Sequence, residues 1–261
     1  MVLYRHELRQ GRFSLILWSA VISFMLGVCV IIYPEMSTQM SEMTDMFANM
    51  GSFSSAFGLD QLNFGEFTGY FGIEIGNTLG LGGAFFAAIS GITALAKEEK
   101  EHTAEFLFAH PISRARALTE KLAALLTRIL ILNLAVCGIT VLACCAIGET
   151  AAMGTVLLLF LANLLLQIEI GALSFGISAF VTGGSVGIGI GLAVLFYFCN
   201  LLANLTEDLS LLKYLTPFAY TDGAHIVTES APKWEYLLPG AVLTALGICA
   251  AYLRYRKKDL Q

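Results

Sequence analysis

Charge is scarce in this sequence, and that scarcity excludes more than any single motif does. Charged residues make up only 13% of the 261 positions and hydrophobic residues 57%, for a mean hydropathy of +0.74. Soluble domains carry about a quarter charged residues, so the chain reads as a membrane protein. No GxxxxGK[ST] phosphate loop occurs, which removes that route to binding ATP within this chain. HExxH, GxSxG and paired-carboxylate constellations are missing too, and an intramembrane hydrolase needs such groups at bilayer depth. The four histidines (His6, His102, His110, His225) all lie outside the apolar runs. All six cysteines (Cys29, Cys137, Cys144, Cys145, Cys199, Cys249) lie inside them, with no CxxC pair and no histidine at ligand spacing. Buried apolar packing is their expected role, and no metal or cofactor is expected in this chain. No patch is both basic and aromatic, so a nucleic-acid partner is not expected either.

What is present is a series of six apolar runs, near Phe13 to Tyr33, Tyr70 to Ala96, Ile129 to Ile147, Thr155 to Val181, Ser185 to Ala203 and Tyr236 to Leu253. About 20 residues of helix cross roughly 30 Å of hydrocarbon, so the predicted fold class is an all-α integral membrane protein with six transmembrane helices. Of the 15 Lys and Arg residues, all but Lys213 and Lys233 fall at the N-terminus, around the second and third spans or at the C-terminus. Basic residues near span ends stay cytoplasmic, which predicts cytoplasmic N- and C-termini. The net charge of −5 comes largely from the outer loops, through Glu35, Glu42, Asp45, Asp60 and Glu66. The first span follows three arginines as in a signal sequence, but it is too long for an h-region and ends in Tyr33-Pro34 without a small-residue cleavage site. It is expected to be retained.

Residues 34–69 are expected to form an outer loop containing an amphipathic helix. Met36, Met40, Met43, Phe47, Met50 and Phe57 recur on one helical face opposite Ser41, Glu42, Thr44 and Asp45. A thioether site for a soft metal is one reading of that stripe. An apolar face on the bilayer or on a partner subunit is the favoured one, because no cysteine or histidine completes a site. Small residues recur four apart in two spans, as Gly72, Gly76 and Gly80 in the second and Gly183, Gly187 and Gly191 entering the fifth. Such faces let backbones approach closely, either within one subunit or at a dimer seam. Residues 204–235 form a second outer loop, where Leu205, Leu209, Leu212 and Leu215 suit a short helix stopped before Pro217.

Glu74 and Glu169 lie within the spans, along with Asn77, Asn133, Asn163, Gln167 and Asn200. A carboxylate at the bilayer centre costs about 2.5 to 3.5 kcal/mol on insertion scales, so it faces protein or water. Glu169, near mid-span, with Asn77 and Glu74, is therefore a candidate for the translocation path. An interhelical hydrogen bond from a neutralised carboxyl is the structural alternative.

The longest charge-rich segment runs from Lys97 to Lys121, "KEEKEHTAEFLFAHPISRARALTEK". Its polar start, the apolar "EFLFAH", Pro111 and the N-cap candidate Ser113 predict a short helix, a sharp turn and a second helix feeding the third span. A short helix presenting Phe106, Leu107 and Phe108 fits a groove on another protein; a connector lying at the lipid headgroups fits the same residues. The segment resembles the one after the second span in permease subunits of type 2 ABC exporters, where an acidic helix leads into a Gly-Thr-x-Glu-x-Leu-Leu-x-x-Pro-x-x-Arg run and a following lysine. Thr103, Glu105, Leu107, Pro111, Ile112, Ser113, Arg114 and Lys121 fill those places, with His102 where glycine is common. "LKYLTPFAYTDGAHI" looks like that family's Leu-Ser-Pro-Phe segment before the last span, and "RYRKKDLQ" like its basic tail. "YRHELRQGRF" is similar to its amphipathic N-terminal helix, placed here at residues 1–12.

The resemblance spans the chain in outline and implies a single permease domain over residues 1–261. That domain would pair with an identical or different permease and bind two ABC ATPase subunits from the cytoplasm, with ATP and Mg held on the ATPases. Residues 97–117 become the coupling helix region, with Glu105, Phe106, Leu107 and Phe108 contacting the ATPase. Pro111 and Arg114 would fix the turn and anchor it near the membrane. An exporter of an amphipathic or lipophilic cargo (a drug, an antimicrobial peptide or a lipid) in a bacterial plasma membrane is the resulting expectation. Two other readings stay open: an ion-gradient-driven secondary carrier using Glu169, and a non-transporting membrane anchor.

Overall fold

A computed structural model describes residues 2–48, 50–100, 113–181 and 186–257. Among the described residues there is no strand, and six helices are long and apolar enough to cross a membrane. The first span lies in α1 (Val2–Ala48) and the second in α3 (Phe67–Ile75) and α4 (Gly82–Lys100), which are joined without a break by a π-helical turn, Gly76–Leu81. Three single helices follow: α5 (Arg114–Ile147), α6 (Met153–Ser178) and α7 (Val186–Leu205). The sixth span is α9 (Trp234–Lys257). Short α2 (Ser52–Phe57) and α8 (Gly223–Glu229) and the 3-10 turns Glu207–Tyr214 and Pro217–Thr221 lie between spans at one end of the bundle.

Alpha-helix is the local solution because a chain in hydrocarbon must satisfy its own backbone polar groups. The packing is layered. In the apolar stretch of the second span 67% of residues are buried and in that of the fourth 61%, against 22% and 11% in the fifth and sixth. The α4–α6 pair is therefore the interior, and it packs more extensively than any other pair, closely followed by α1 on α5. Gly91 makes the α4–α6 approach possible, since a Cβ there would overlap the Gly171 carbonyl.

The expected division of the first 48 residues needs correction. A separate N-terminal helix at 1–12, a span from Phe13 and a distinct outer helix after Pro34 are instead one helix of 47 residues, about 70 Å long at 1.5 Å per residue. Pro34 costs α1 a backbone hydrogen bond, and aromatic packing fastens the helix at that point. Tyr33 stacks on Tyr70 with ring centroids 5.4 Å apart, meets Phe67 edge-on at 5.3 Å and donates to the Gly65 carbonyl at 2.7 Å. Beyond it, Thr44 accepts from the Phe64 amide at 3.1 Å, so the extension is tied down as well. The third span's helix begins at Arg114, ahead of the apolar run from Ile129, and Ser113 caps it as the sequence predicts, its hydroxyl accepting from the Arg116 amide at 3.3 Å. Its polar early turns are held by other helices.

The cysteines depart in part from buried packing. All six are free thiols; Cys144 is buried, but Cys145 and Cys249 are exposed on the outside of the bundle. At those depths the exterior is lipid, which accepts a small apolar thiol as readily as the core does.

Candidate functional site

Three groups of polar side chains stand out from the apolar bundle. The first gathers the chain ends. The Lys121 ammonium in α5, 3% exposed, donates to Glu7 of α1 at 3.0 Å and to the Ala94 carbonyl of α4 at 2.7 Å. The Tyr4 amide donates to Glu120 at 3.1 Å, and its hydroxyl meets Thr127 at 3.1 Å. Arg114 donates to the Tyr255 carbonyl of α9 at 3.4 Å, and Thr119 meets the Tyr252 hydroxyl at 2.7 Å. Gly11 leaves room for the Arg128 guanidinium between α1 and α5. Four helix ends are thus pinned together at the basic end, on both sides of residues 101–112. Of the predicted coupling residues, Arg114 is in this knot; Glu105, Phe106, Leu107, Phe108 and Pro111 lie outside the described residues.

The second group crosses the interior. Asn133 of α5 donates to Gln167 of α6 at 2.7 Å, and Gln167 donates to the Leu79 carbonyl in the π turn at 3.3 Å. Gly83 of α4 faces the Gln167 amide and Gly80 faces Asn163, so those glycines accommodate polar side chains from α6. Interhelical bonds of this kind contribute about 0.6 kcal/mol each on average in a membrane. Glu169 follows on the same helix. It is 4% exposed, and Tyr220 donates to its Oε2 at 3.0 Å, while its Oε1 has no hydrogen-bond partner among the described residues. Gly240 of α9 packs against the carboxyl, where a Cβ would collide with it. Burial and the Glu169 charge push the Tyr220 phenol well above its ordinary value. The arrangement joins α6, α9 and the turn Pro217–Thr221 around one carboxyl.

The third group faces a cavity of about 460 Å³ near the end opposite the basic knot. Glu74, Gly76 and Asn77 supply one wall and Tyr197, Asn200 and Asn204 of α7 the other. Asp222 at its rim caps α8 through the Ala224 amide at 3.1 Å and pairs with Lys233 at 2.8 Å. Burial, with Lys233 beside it, pushes the neighbouring Lys213 ammonium below its ordinary value.

The sequence candidates for a path are therefore divided. Glu74 and Asn77 share the cavity, whereas Glu169 is sealed in the interior and is not part of its lining. Among the seam glycines, Gly72 packs against Val227 and Gly223 within the chain, and Gly76 opens onto the cavity. Gly187 is exposed and Gly191 has no neighbour among the described residues at the position of a Cβ; Gly183 lies outside the described residues. Within the methionine stripe, Met50 is exposed, and Met40, Met43 and Phe47 lie outside the described side chains. Sequence reasoning missed Tyr220 as the partner of Glu169, and it missed the α7 wall. Tyr197, Asn200 and Asn204 are spaced three and four apart on one helical face, a signal that was available.

A bundle with six candidate spans, four of them tied together at a basic end, matches a known family along almost its full length: the model for ABC-2 family transporter proteins covers residues 1–260. The chain belongs to the ABC-2 transporter family. No curated protein matches it. This ABC-2 permease is accordingly a multi-pass membrane protein and the membrane component of a transporter, of the class that associates with ABC ATPase subunits. Its polar groups suit that assignment chemically. They hold helices together and line a cavity.

Proposed function

We propose that this ABC-2 permease exports an amphipathic or lipophilic molecule across a plasma membrane, driven by ATP and Mg bound to separate ATPase subunits. The basic end faces the cytoplasm, in line with the distribution of Lys and Arg. Residues 97–117 are the coupling region, with Glu105, Phe106, Leu107 and Phe108 in the ATPase groove and Pro111 with Arg114 setting the turn. A second permease, identical or different, joins along the face that carries Gly187 and Gly191. Closure of the ATPases moves the coupling region, and the two permeases switch their shared path outward.

One observation carries this reading: the knot of Lys121, Glu7, Ala94, Arg114 and Tyr255 joins the helices on either side of the coupling region. A push on a free connector would be absorbed locally. A push on this one is delivered to α1, α4, α5 and α9 together, which is what a relay requires. Glu169, with its carboxyl engaged by Tyr220, serves in this scheme as an internal tie between α6, α9 and the turn Pro217–Thr221.

The test is to purify the tagged chain from its native cell under mild conditions, with and without cross-linking. A stoichiometric ATPase cross-linked at Lys97 or Lys100 is the expected result, since Lys121 is buried in the knot. The double substitution Phe106→Ala with Leu107→Ala should leave insertion intact while abolishing assembly or transport. Unchanged assembly and transport in that variant, or a complete cross-linked preparation without an ATPase, would remove the reading.

A further inference from the structure

The cavity near the end opposite the basic knot has a chemistry of its own. Its volume of about 460 Å³ falls in the range that encloses a drug-sized molecule, roughly 300 to 1,000 Å³. Most of its surface is apolar, supplied by aliphatic side chains and by aromatic rings that include Tyr70, Tyr197 and Phe218. Into this surface project carboxamides and two carboxyl groups, and the carboxyl groups are not equivalent. Asp222 is neutralised by Lys233 at 2.8 Å. Glu74 carries no salt bridge to a cation among the described residues, and its hydrogen-bond donor is the Cys29 thiol at 3.6 Å. A thiol is a weak donor, and a carboxylate at membrane depth without a counter-charge is costly.

Local backbone geometry aims the site. The π turn Gly76–Leu81 begins two residues after Glu74, and such turns add a residue to the helical repeat. Asn77 is exposed here, while Thr78, Leu79 and Gly80 turn inward. Gly76 leaves the wall between Glu74 and Asn77 open, with no atom of the described residues near the position of a Cβ.

We propose that this cavity binds an amphipathic monocation, an amine or quaternary ammonium on an apolar body, with Glu74 as the counter-charge. The aromatic faces attract the same cation through their ring quadrupoles and enclose the apolar part. The carboxamides of Asn77 and Asn200 solvate the polar end without adding charge. The inference narrows the cargo class of the export reading and rests on that reading only in calling the ligand a cargo.

Dansylcadaverine, which carries one protonated amine on an apolar fluorophore, and its N-acetyl derivative, which is neutral, separate charge from shape. The full chain in phosphatidylcholine nanodiscs is titrated with each, with empty nanodiscs subtracted. Saturable binding of the amine, about tenfold tighter than the acetylated form, is expected. Glu74→Gln should abolish that difference and leave the acetylated form unaffected. Gly76→Leu, which fills open space at an ordinary helical φ, should weaken both. Equal binding of the two probes by the unaltered chain, or no saturable binding of either, would overturn the site without recourse to any variant. Amine-selective binding by a chain that brings down no ATPase would support the site and count against export alone. ATP-coupled transport by a chain lacking amine selectivity would leave export standing and remove the site.

Discussion

Replacing Lys121 with methionine keeps the length and apolar stem of the side chain and deletes the ammonium that joins three helices. The unaltered ammonium is bonded to Glu7 and to the Ala94 carbonyl, and its side chain is 2% exposed against 13% for Glu7. Removing one member of a buried pair costs about 3 to 5 kcal/mol, chiefly because the partner charge stays behind without compensation. Partial access of Glu7 to water sets the expectation at the lower end, about 3 kcal/mol. For a chain of this size each kcal/mol moves the unfolding temperature by about 2 to 4 °C, so a fall of about 6 to 12 °C is predicted. Thermal denaturation of the purified chain in detergent, read as the loss of the monodisperse peak on size exclusion, measures it. A double substitution, Lys121→Met with Glu7→Gln, removes the stranded charge and should recover about 1 to 3 kcal/mol relative to the sum of the single variants. A shift within about 2 °C for Lys121→Met, or strict additivity of the pair, would refute the claim that this contact holds the basic end together.

Three further predictions concern the interior. Tyr220→Phe strips the Glu169 carboxyl of its donor and should destabilise the chain by about 1 to 3 kcal/mol. Glu169→Gln keeps an acceptor for Tyr220 and should transport normally; lost transport at unchanged stability would instead make Glu169 the ion site of a gradient-driven carrier. Gly83→Ala drives a methyl group into the Gln167 amide and should cost about 1 to 3 kcal/mol by overpacking. Gly191→Leu starts from a Cβ position with no atom of the described residues within 4 Å; it should leave thermal stability unchanged and lower the yield of cross-linked permease dimers, and an undiminished yield would move the seam elsewhere.

The six spans were legible because a long apolar run has one economical backbone solution in hydrocarbon. Which face of each helix is buried was not, since a lipid-facing surface is as apolar as the core. In α5, Leu125 and Leu132 are fully buried while Leu134 and Leu142 are among the more exposed residues of the molecule, yet all four are leucine. The 3.6-residue contrast that marks a soluble helix is therefore erased. Pro34 misled for a related reason. A proline read in isolation marks a boundary, whereas here Tyr33, Tyr70 and Phe67 carry the helix through it.

Polarity, being rare in the spans, was the better guide to the site. Glu74 and Asn77 stood out in a run of glycine and apolar residues, and they do line one cavity. The residues opposite them come from more than 100 positions later in the chain, so no local pattern announces the pairing. The π turn is the deeper reason. Counting by 3.6 residues from Gly72 makes Gly72, Gly76 and Gly80 one continuous face, which invites a single role for all three. With the turn inserted at Gly76–Leu81, Gly72 packs on α8, Gly76 opens the cavity wall and Gly80 receives Asn163. A stripe of small residues read as one packing seam thus serves the cavity at Gly72 and Gly76 and a polar side chain at Gly80, and the extra residue of helical register falls between Gly76 and Gly80.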